Sequence, residues 1–217
     1  MTQYEEDYIK YIYAKTELKN RVIKIAEIAA DFMYSKQAVI EMVKKMEVRG
    51  YLQYIPYKGV TLTAEGKKFG ARMVRVHRLW ELFLVNELGM KWHEIDDEAH
   101  LLEHATSELL EAKLYEYLGK PEFCPHGSPI PDENGEIKFK SYQTLEQARV
   151  GDTFTVKKVK DEPSLLKYLE GRGISIGAEI VIQSILEYDG LINAKKGKDD
   201  VFISRESAKL IYGIIKV

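Results

Sequence analysis

The sequence predicts a mainly α-helical chain that ends in a small β domain, and three observations carry that expectation. Apolar residues recur at helical spacing through most of the first 118 positions. A short strand–turn–strand pattern interrupts that spacing once, between Tyr51 and Leu62. From Tyr142 onward, brief β-rich runs separated by glycine replace it. The 217 residues, 45% hydrophobic and 30% charged, hold enough apolar material for the cores of one to three small domains. No stretch approaches the roughly 18 uninterrupted apolar residues of a membrane span. The acidic start, Glu5-Glu6-Asp7, lacks the apolar core of a secretory signal. The single cysteine, Cys124, excludes an intramolecular disulfide framework and fits a reducing cytoplasm, which is the expected location.

The first helix is expected from Gln3 to Lys19, with Tyr4, Tyr8, Ile9, Ile12 and Tyr13 at helical spacing. A second, short helix spans Lys24 to Phe32. Met33 and Tyr34 form a tight turn, and Ser35 caps a third helix running to about Arg49, closed by Gly50. Pro56-Tyr57-Lys58-Gly59 then turns one strand into the next. Three helices followed by a hairpin is the order of a winged helix-turn-helix. Thr63 caps a long helix to about Glu87, ended by Gly89. Asp96 or Asp97 opens another expected to run unbroken to Leu118, with Gly119 as its C-cap and Pro121 beyond. Their apolar stripes, including Leu79, Trp80, Phe83, Leu102, Leu109 and Leu114, exceed what two helices can cover, which points to pairing with a second subunit. Residues 122–140 read as a tether rich in Pro, Gly, Asn and Asp. Strands are expected at 153–159, 178–186, 190–194, 201–203 and 211–217 around a helix at 163–170, as in a small barrel. The expected domains are 1–72, 73–140 and 141–217.

The net charge of −2 conceals an asymmetry. Residues 1–76 carry 14 Lys and Arg against 9 Asp and Glu, and residues 77–140 carry 6 against 14. A basic head suits phosphate, and an acidic middle suits cations. In a helix-turn-helix the second helix enters the major groove of double-stranded DNA and presents its first turns to base edges. Here those positions are Ser35, Lys36, Gln37, Val39, Ile40 and Glu41, with Lys44, Lys45 and the wing residue Lys58 placed for the phosphate backbone.

The acidic middle also holds nearly all of the histidine. His77 and Glu81, at i and i+4, share a helix face. His100, Glu103 and His104 crowd another, and Cys124-Pro125-His126 adds a thiol and an imidazole. His93 reads as an ordinary core or surface histidine. Mixed nitrogen, oxygen and sulfur donors suit first-row divalent ions better than calcium, and one cysteine among carboxylates does not make a closed structural zinc site. The oxygen-rich set leans toward Mn2+.

The stretch from Ser35 to Gly50 with its wing, His77-Arg78-Leu79-Trp80-Glu81, Glu98-Ala99-His100-Leu101-Leu102-Glu103-His104 and Gly127-Ser128-Pro129-Ile130-Pro131 occur in an order that resembles the diphtheria-toxin-repressor (DtxR-type) family of iron- and manganese-dependent repressors, over essentially the whole chain. The resemblance implies a homodimer through the middle helices, a C-terminal SH3-like (FeoA-like) domain and repression at palindromic operators, with metal-transport genes as the regulated class. It implies one metal site of Asp7, Glu103 and His104, and a second of His77, Glu81, Cys124 and His126 with Asp161 or the neighbouring Glu162. Cys124-Pro125-His126 is similar to the manganese-type subgroup. Asp7 stands where iron-type members have methionine and His100 where they have cysteine, so both exchange sulfur for harder donors; His100 is a further candidate ligand. Fe2+ is the alternative ion, and Zn2+ or other divalent metals are expected to substitute in vitro.

One enzyme reading competes. His100-x-x-Glu103-His104 matches the inverted zinc-peptidase motif, but that chemistry needs a third ligand and a substrate cleft, and the chain spends its first third on a winged helix. No glycine-rich phosphate loop is present in the sequence. The expectation is therefore a regulator and not an enzyme.

Overall fold

In the computed structural model, residues 1–16, 21–138 and 140–216 are described. Backbone contacts divide the chain into two compact units, and the chain passes between them more than once. One comprises Met1–Leu79, His100–Leu114 and Ile130–Ile137, the other Trp80–Ala99, Tyr115–Pro129 and Lys138–Val217.

The first unit opens with helices α1 (Gln3–Thr16), α2 (Ile25–Asp31) and α3 (Lys36–Val48) and the hairpin β1 (Leu52–Ile55) and β2 (Gly59–Leu62). The expected first helix ended at Lys19, which lies outside the described residues. Ser35 caps α3 by accepting from the Ala38 amide at 3.1 Å. The hairpin pairs antiparallel from Leu52 opposite Leu62 to Ile55 opposite Gly59. Tyr8, Ile9 and Ile12 on one face of α1 meet Ile28, Val39, Val43, Met46, Leu52 and Val60 in a single core.

Helix α4 (Ala64–Asn86) begins where Thr63 accepts from the Gly66 amide at 3.0 Å. It lies close against α1 because Gly70 has no side chain: a Cβ there would stand 2.6 Å from Tyr13 Cβ. This contact sets the height of α1, and thus of Glu6, Asp7 and Lys10, against the middle helices.

The helix expected from Asp96 to Leu118 is two helices, α5 (Ile95–Ala105) and α6 (Glu108–Tyr117). Thr106 turns its hydroxyl back to the Leu102 carbonyl (2.7 Å), and Ser107 starts a new helix by accepting from the Leu110 amide (3.2 Å). Side-chain bonds of this kind compete with the backbone ladder. Within the first unit, α6 is held to α4 by Glu111, which accepts from Arg72 and Arg75 at 2.8 and 3.0 Å. Arg75 also donates to the Pro131 carbonyl at 2.7 Å and so fastens the tether.

The second unit contains β3 (Gln143–Thr144), β4 (Thr153–Val159), α7 (Pro163–Glu170), β5 (Glu179–Ile185), β6 (Ile192–Lys196), β7 (Asp199–Ile203), the short α8 (Arg205–Ala208) and β8 (Ile211–Lys216). The last expected strand included Val217, which lies outside the described residues. The six strands form one antiparallel sheet in the order β3-β8-β4-β5-β6-β7. Its core gathers Phe154, Val156, Ile180, Ile182 and Ile203 with Leu166 and Leu169 of α7, and Trp92 packs against it. The segment 124–129 lies on β4: Val159 donates to the His126 carbonyl at 3.0 Å. At Gly127 (φ +78°) a Cβ would meet the Lys157 carbonyl oxygen at 2.0 Å. Only glycine fits that approach and that backbone conformation. No described helix is long and apolar enough to cross a membrane.

Gly70→Ala tests the α1–α4 approach. Alanine favours the helix by about 1 kcal/mol, but the overlap with Tyr13 is expected to dominate and destabilise the protein by about 1–3 kcal/mol. A lower urea midpoint is the expected result; a higher one would show that α1 is free to move away.

Candidate metal centres and nucleic-acid interface

Helix α1 and helix α5 bring four side chains together in the first unit. Asp7, His100, Glu103 and His104 each offer a donor atom, all within 4.8 Å of one another. The spacing of α5 puts His100, Glu103 and His104 on one face. His104 Nε2 stands 3.0 Å from Asp7 Oδ1 and 3.5 Å from Glu103 Oε1. His100 places Nδ1 3.2 Å from the same Glu103 oxygen and Nε2 3.8 Å from Asp7.

Asp7 Oδ1 and His104 Nε2 are both buried from solvent and make no aligned hydrogen bond, although they lie 3.0 Å apart. Buried polar atoms normally find a partner. Two that converge on a point without bonding each other, beside a second imidazole and a second carboxylate, suit a shared cation.

Three residues around this cluster lay outside the sequence-based expectation. Glu6 holds His104 Nδ1 at 2.6 Å, which turns Nε2 toward Asp7; ligand imidazoles are commonly oriented by such a carboxylate. Lys10 donates to both oxygens of Glu103, at 2.7 and 2.9 Å. Glu5, fully buried, accepts from the Thr2 amide and pairs with Lys45 and Arg49 of the α3 end at 2.9 and 2.6 Å. The Thr2 hydrogen bond, with the two cations outweighing burial, holds its carboxyl down at about 2. The signal for Glu6 and Lys10 was their place on α1, one before and three after Asp7, where composition alone gives no partner.

His77, expected to serve with Glu81, lies in the first unit with Nδ1 2.6 Å from Glu103 Oε2. Burial works to raise the Glu103 carboxyl, and the His77 bond and the Lys10 charge overcome it, leaving its pKa below the ordinary carboxylate value.

In the second unit, Glu81, Cys124 and His126 converge, all buried. His126 Nδ1 lies 3.2 Å from Glu81 and 3.7 Å from Asp161. Glu162 turns away and accepts from Lys160 and Ser164, both at 3.1 Å, so of the two acids expected to reach in, Asp161 is the one beside His126. Burial pushes the His126 ring toward neutrality, but contact with Cys124 and Glu81 and the charges of Glu81 and Asp161 prevail and lift its pKa to about 11. His93 stands outside both clusters, its Nδ1 2.9 Å from Glu170 of α7.

On α3, Ser35, Lys36, Gln37, Glu41 and Lys44 are exposed and Ile40 is half-buried; Lys58 is exposed at the wing. Gln37 donates to Glu41 at 3.0 Å. Val39 is fully buried in the core and presents nothing to a base edge, because it faces inward one step before Ile40. Lys45 is turned to Glu5.

A winged helix whose first helix brings an acid into a cluster with the donor types of a divalent-ion site points to a metal-responsive DNA-binding protein. Comparison with known proteins agrees. Residues 1–60 match the iron dependent repressor N-terminal DNA binding domain, 63–132 its metal binding and dimerisation domain, and 143–214 the FeoA domain. An uncharacterized HTH-type transcriptional regulator of Methanocaldococcus jannaschii is 36% identical over 120 residues, 55% of this chain and 96% of that protein. The iron-dependent repressor IdeR of Mycobacterium leprae is 34% identical over 126 residues, 58% of this chain; the match spans only 54% of IdeR. A solved structure described as a manganese-dependent transcriptional repressor in complex with manganese superposes with a TM-score of 0.82 at 33% identity, covering 97% of this chain and 99% of that one.

The chain belongs to the DtxR-type family of iron-dependent repressors. These are metal-dependent transcriptional repressors that bind divalent ions, and not enzymes, so the peptidase reading of His100-x-x-Glu103-His104 lapses.

Since His126 is protonated at neutral pH without metal, an incoming ion must expel that proton. Cobalt(II) affinity at Cys124, read from thiolate-to-metal absorption, is expected to rise about tenfold per pH unit for each proton released. A pH-independent affinity would mean that the ion expels no proton from His126.

Proposed function

We propose that the chain is a manganese-dependent repressor that acts as a homodimer on palindromic operator DNA in the cytoplasm, with metal-transport genes as targets. In this reading residues 1–72 form the DNA head, 73–140 the metal-binding and dimerisation part with its tether, and 141–217 the SH3-like domain. The observation that carries it is the convergence of Asp7 from α1 with Glu103 and His104 from α5. One side chain rides on the DNA head and the others on the middle helices.

The first cluster offers two carboxylates and two imidazoles and no sulfur, a hard set that favours manganese over softer-preferring ions. In the second, Glu81, Cys124, His126 and Asp161 would hold an ion, with His77 one turn before Glu81 on α4. A bound divalent ion supplies positive charge that cross-links acidic side chains. Without it, the Asp7 charge has no cation between it and the Glu103 oxygen on that side, and α1 is held to α5 by the Glu6–His104 and Lys10–Glu103 contacts alone. With it, the heads of two subunits keep the spacing of successive major grooves. A roughly 100-fold preference of the ion for the DNA-competent state strengthens operator binding by about 2.7 kcal/mol.

Dimerisation is supported by exposed leucines on the middle helices, Leu101 at 62% and Leu109 at 73% exposure. Single exposed leucines are ordinary, but a pair on adjacent helices gives a second copy something to cover. Lys44 and Lys58 would meet phosphate, while Ser35, Lys36, Gln37, Ile40 and Glu41 would face bases.

Asp7→Asn keeps the shape and removes a charge. Measured by fluorescence anisotropy on an operator duplex, manganese stimulation is expected to fall at least about tenfold, or about 1.4 kcal/mol, while binding without metal is unchanged. Full stimulation in the variant would sink the assignment. Lys44→Ala is expected to weaken binding to any duplex and to lower the salt slope by about 1; an unchanged slope removes Lys44 from the interface.

A further inference from the structure

Glu103 is shared between two directions. Its Oε1 faces His100 at 3.2 Å and His104 at 3.5 Å, the side on which Asp7 converges. Its Oε2 faces the other way, 2.6 Å from His77 Nδ1 and 2.7 Å from Lys10 Nζ. Nζ is also 2.9 Å from Oε1 and 3.0 Å from His77 Nδ1. The Glu103 side chain has no exposed surface and that of Lys10 is 20% exposed. A carboxylate with donor groups gathered at each oxygen is built to bridge two cations, and here one of the two positions is filled by a side chain.

We propose that Lys10 is a tethered cation that takes the second cation position of this cluster, so that Asp7, His100, Glu103 and His104 accept a single divalent ion. The inference rests on the metal reading of the cluster given above. An ammonium donates hydrogen bonds and accepts none, which matches the two oxygens of Glu103, while His77 Nδ1, 3.0 Å from Nζ, gives its own proton to Oε2. An ordinary surface lysine would gain little from such a pairing; one beside a fully buried carboxylate removes the large cost of leaving that charge unmatched. Because Lys10 sits three residues after Asp7, the same helix delivers both a ligand for the mobile ion and the fixed charge that excludes another. Loading is then a one-ion event in this cluster, without the cooperativity that a pair of ions bridged by Glu103 would bring. Lys10 is a positioning residue: it acts on the ion through Glu103 and His77.

The test counts manganese per chain on full-length protein, by elemental analysis after gel filtration, with electron paramagnetic resonance to detect pairs of ions coupled through a shared carboxylate. Wild type and Lys10→Arg are expected to show no coupled pair. Lys10→Gln, which leaves Glu103 Oε2 and His77 Nδ1 to a second ion, is expected to bind one more ion per chain and to show the coupled signal. A coupled pair in wild type, or an unchanged count in folded Lys10→Gln, overturns the proposal. Should Lys10→Gln not fold, the wild-type and Lys10→Arg spectra decide it by the same criterion. Failure of the underlying metal reading looks different: Asp7→Asn would then bind as much manganese as wild type.

Discussion

A carboxylate with no exposed surface has to be matched by positive charge, and in this chain Glu103 is that carboxylate. An isolated buried charge costs several kcal/mol, so the fold delivers partners from three helices: Lys10 from α1, His77 from α4, and His100 and His104 from α5 itself. Of those contacts, the Lys10–Glu103 pair is also a constraint on where α1 can lie. The Gly70–Tyr13 approach, the Glu6–His104 bond and the Lys10–Glu103 pair all act on the same helix. That helix begins the winged-helix head, so electrostatic balance around one buried oxygen pair is converted into the placement of a DNA-reading element.

The second cluster obeys the same rule by a different route. Positive charge there is carried by a proton on His126, held by Cys124, Glu81 and Asp161. A proton can be exchanged for a metal ion, while a tethered ammonium cannot leave. The two clusters thus hold their resting charge in different ways, one fixed and one exchangeable, and this is a physical reason to expect different ion affinities and pH responses from them.

Much of this was legible in the sequence because helix punctuation is local. Ser35 and Thr63 announce their helices through short side-chain bonds, and the hairpin turn is marked by Pro56 and Gly59. The clustering of His100, Glu103 and His104 was legible because residues at i, i+3 and i+4 must share a helix face. The break at Thr106–Ser107 was not, since a threonine bonding backward and a serine capping forward resemble ordinary polar helix residues. Nor were Glu5, Glu6 and Lys10, whose partners stand 44, 98 and 93 positions away in sequence. Val39 was misplaced for a related reason: the third helix presents its base-facing and core-facing residues side by side, and only packing separates them. For His77, which carboxylate it meets depends on how α5 lies against α4.

The central claim is that ion binding at Asp7, Glu103 and His104 and operator binding at α3 are one linked equilibrium. Linkage is reciprocal. The most direct measurement is the manganese affinity of the full chain with and without saturating operator duplex. The account predicts that DNA tightens manganese binding by the same factor by which manganese tightens DNA binding; an affinity for manganese indifferent to DNA would contradict it.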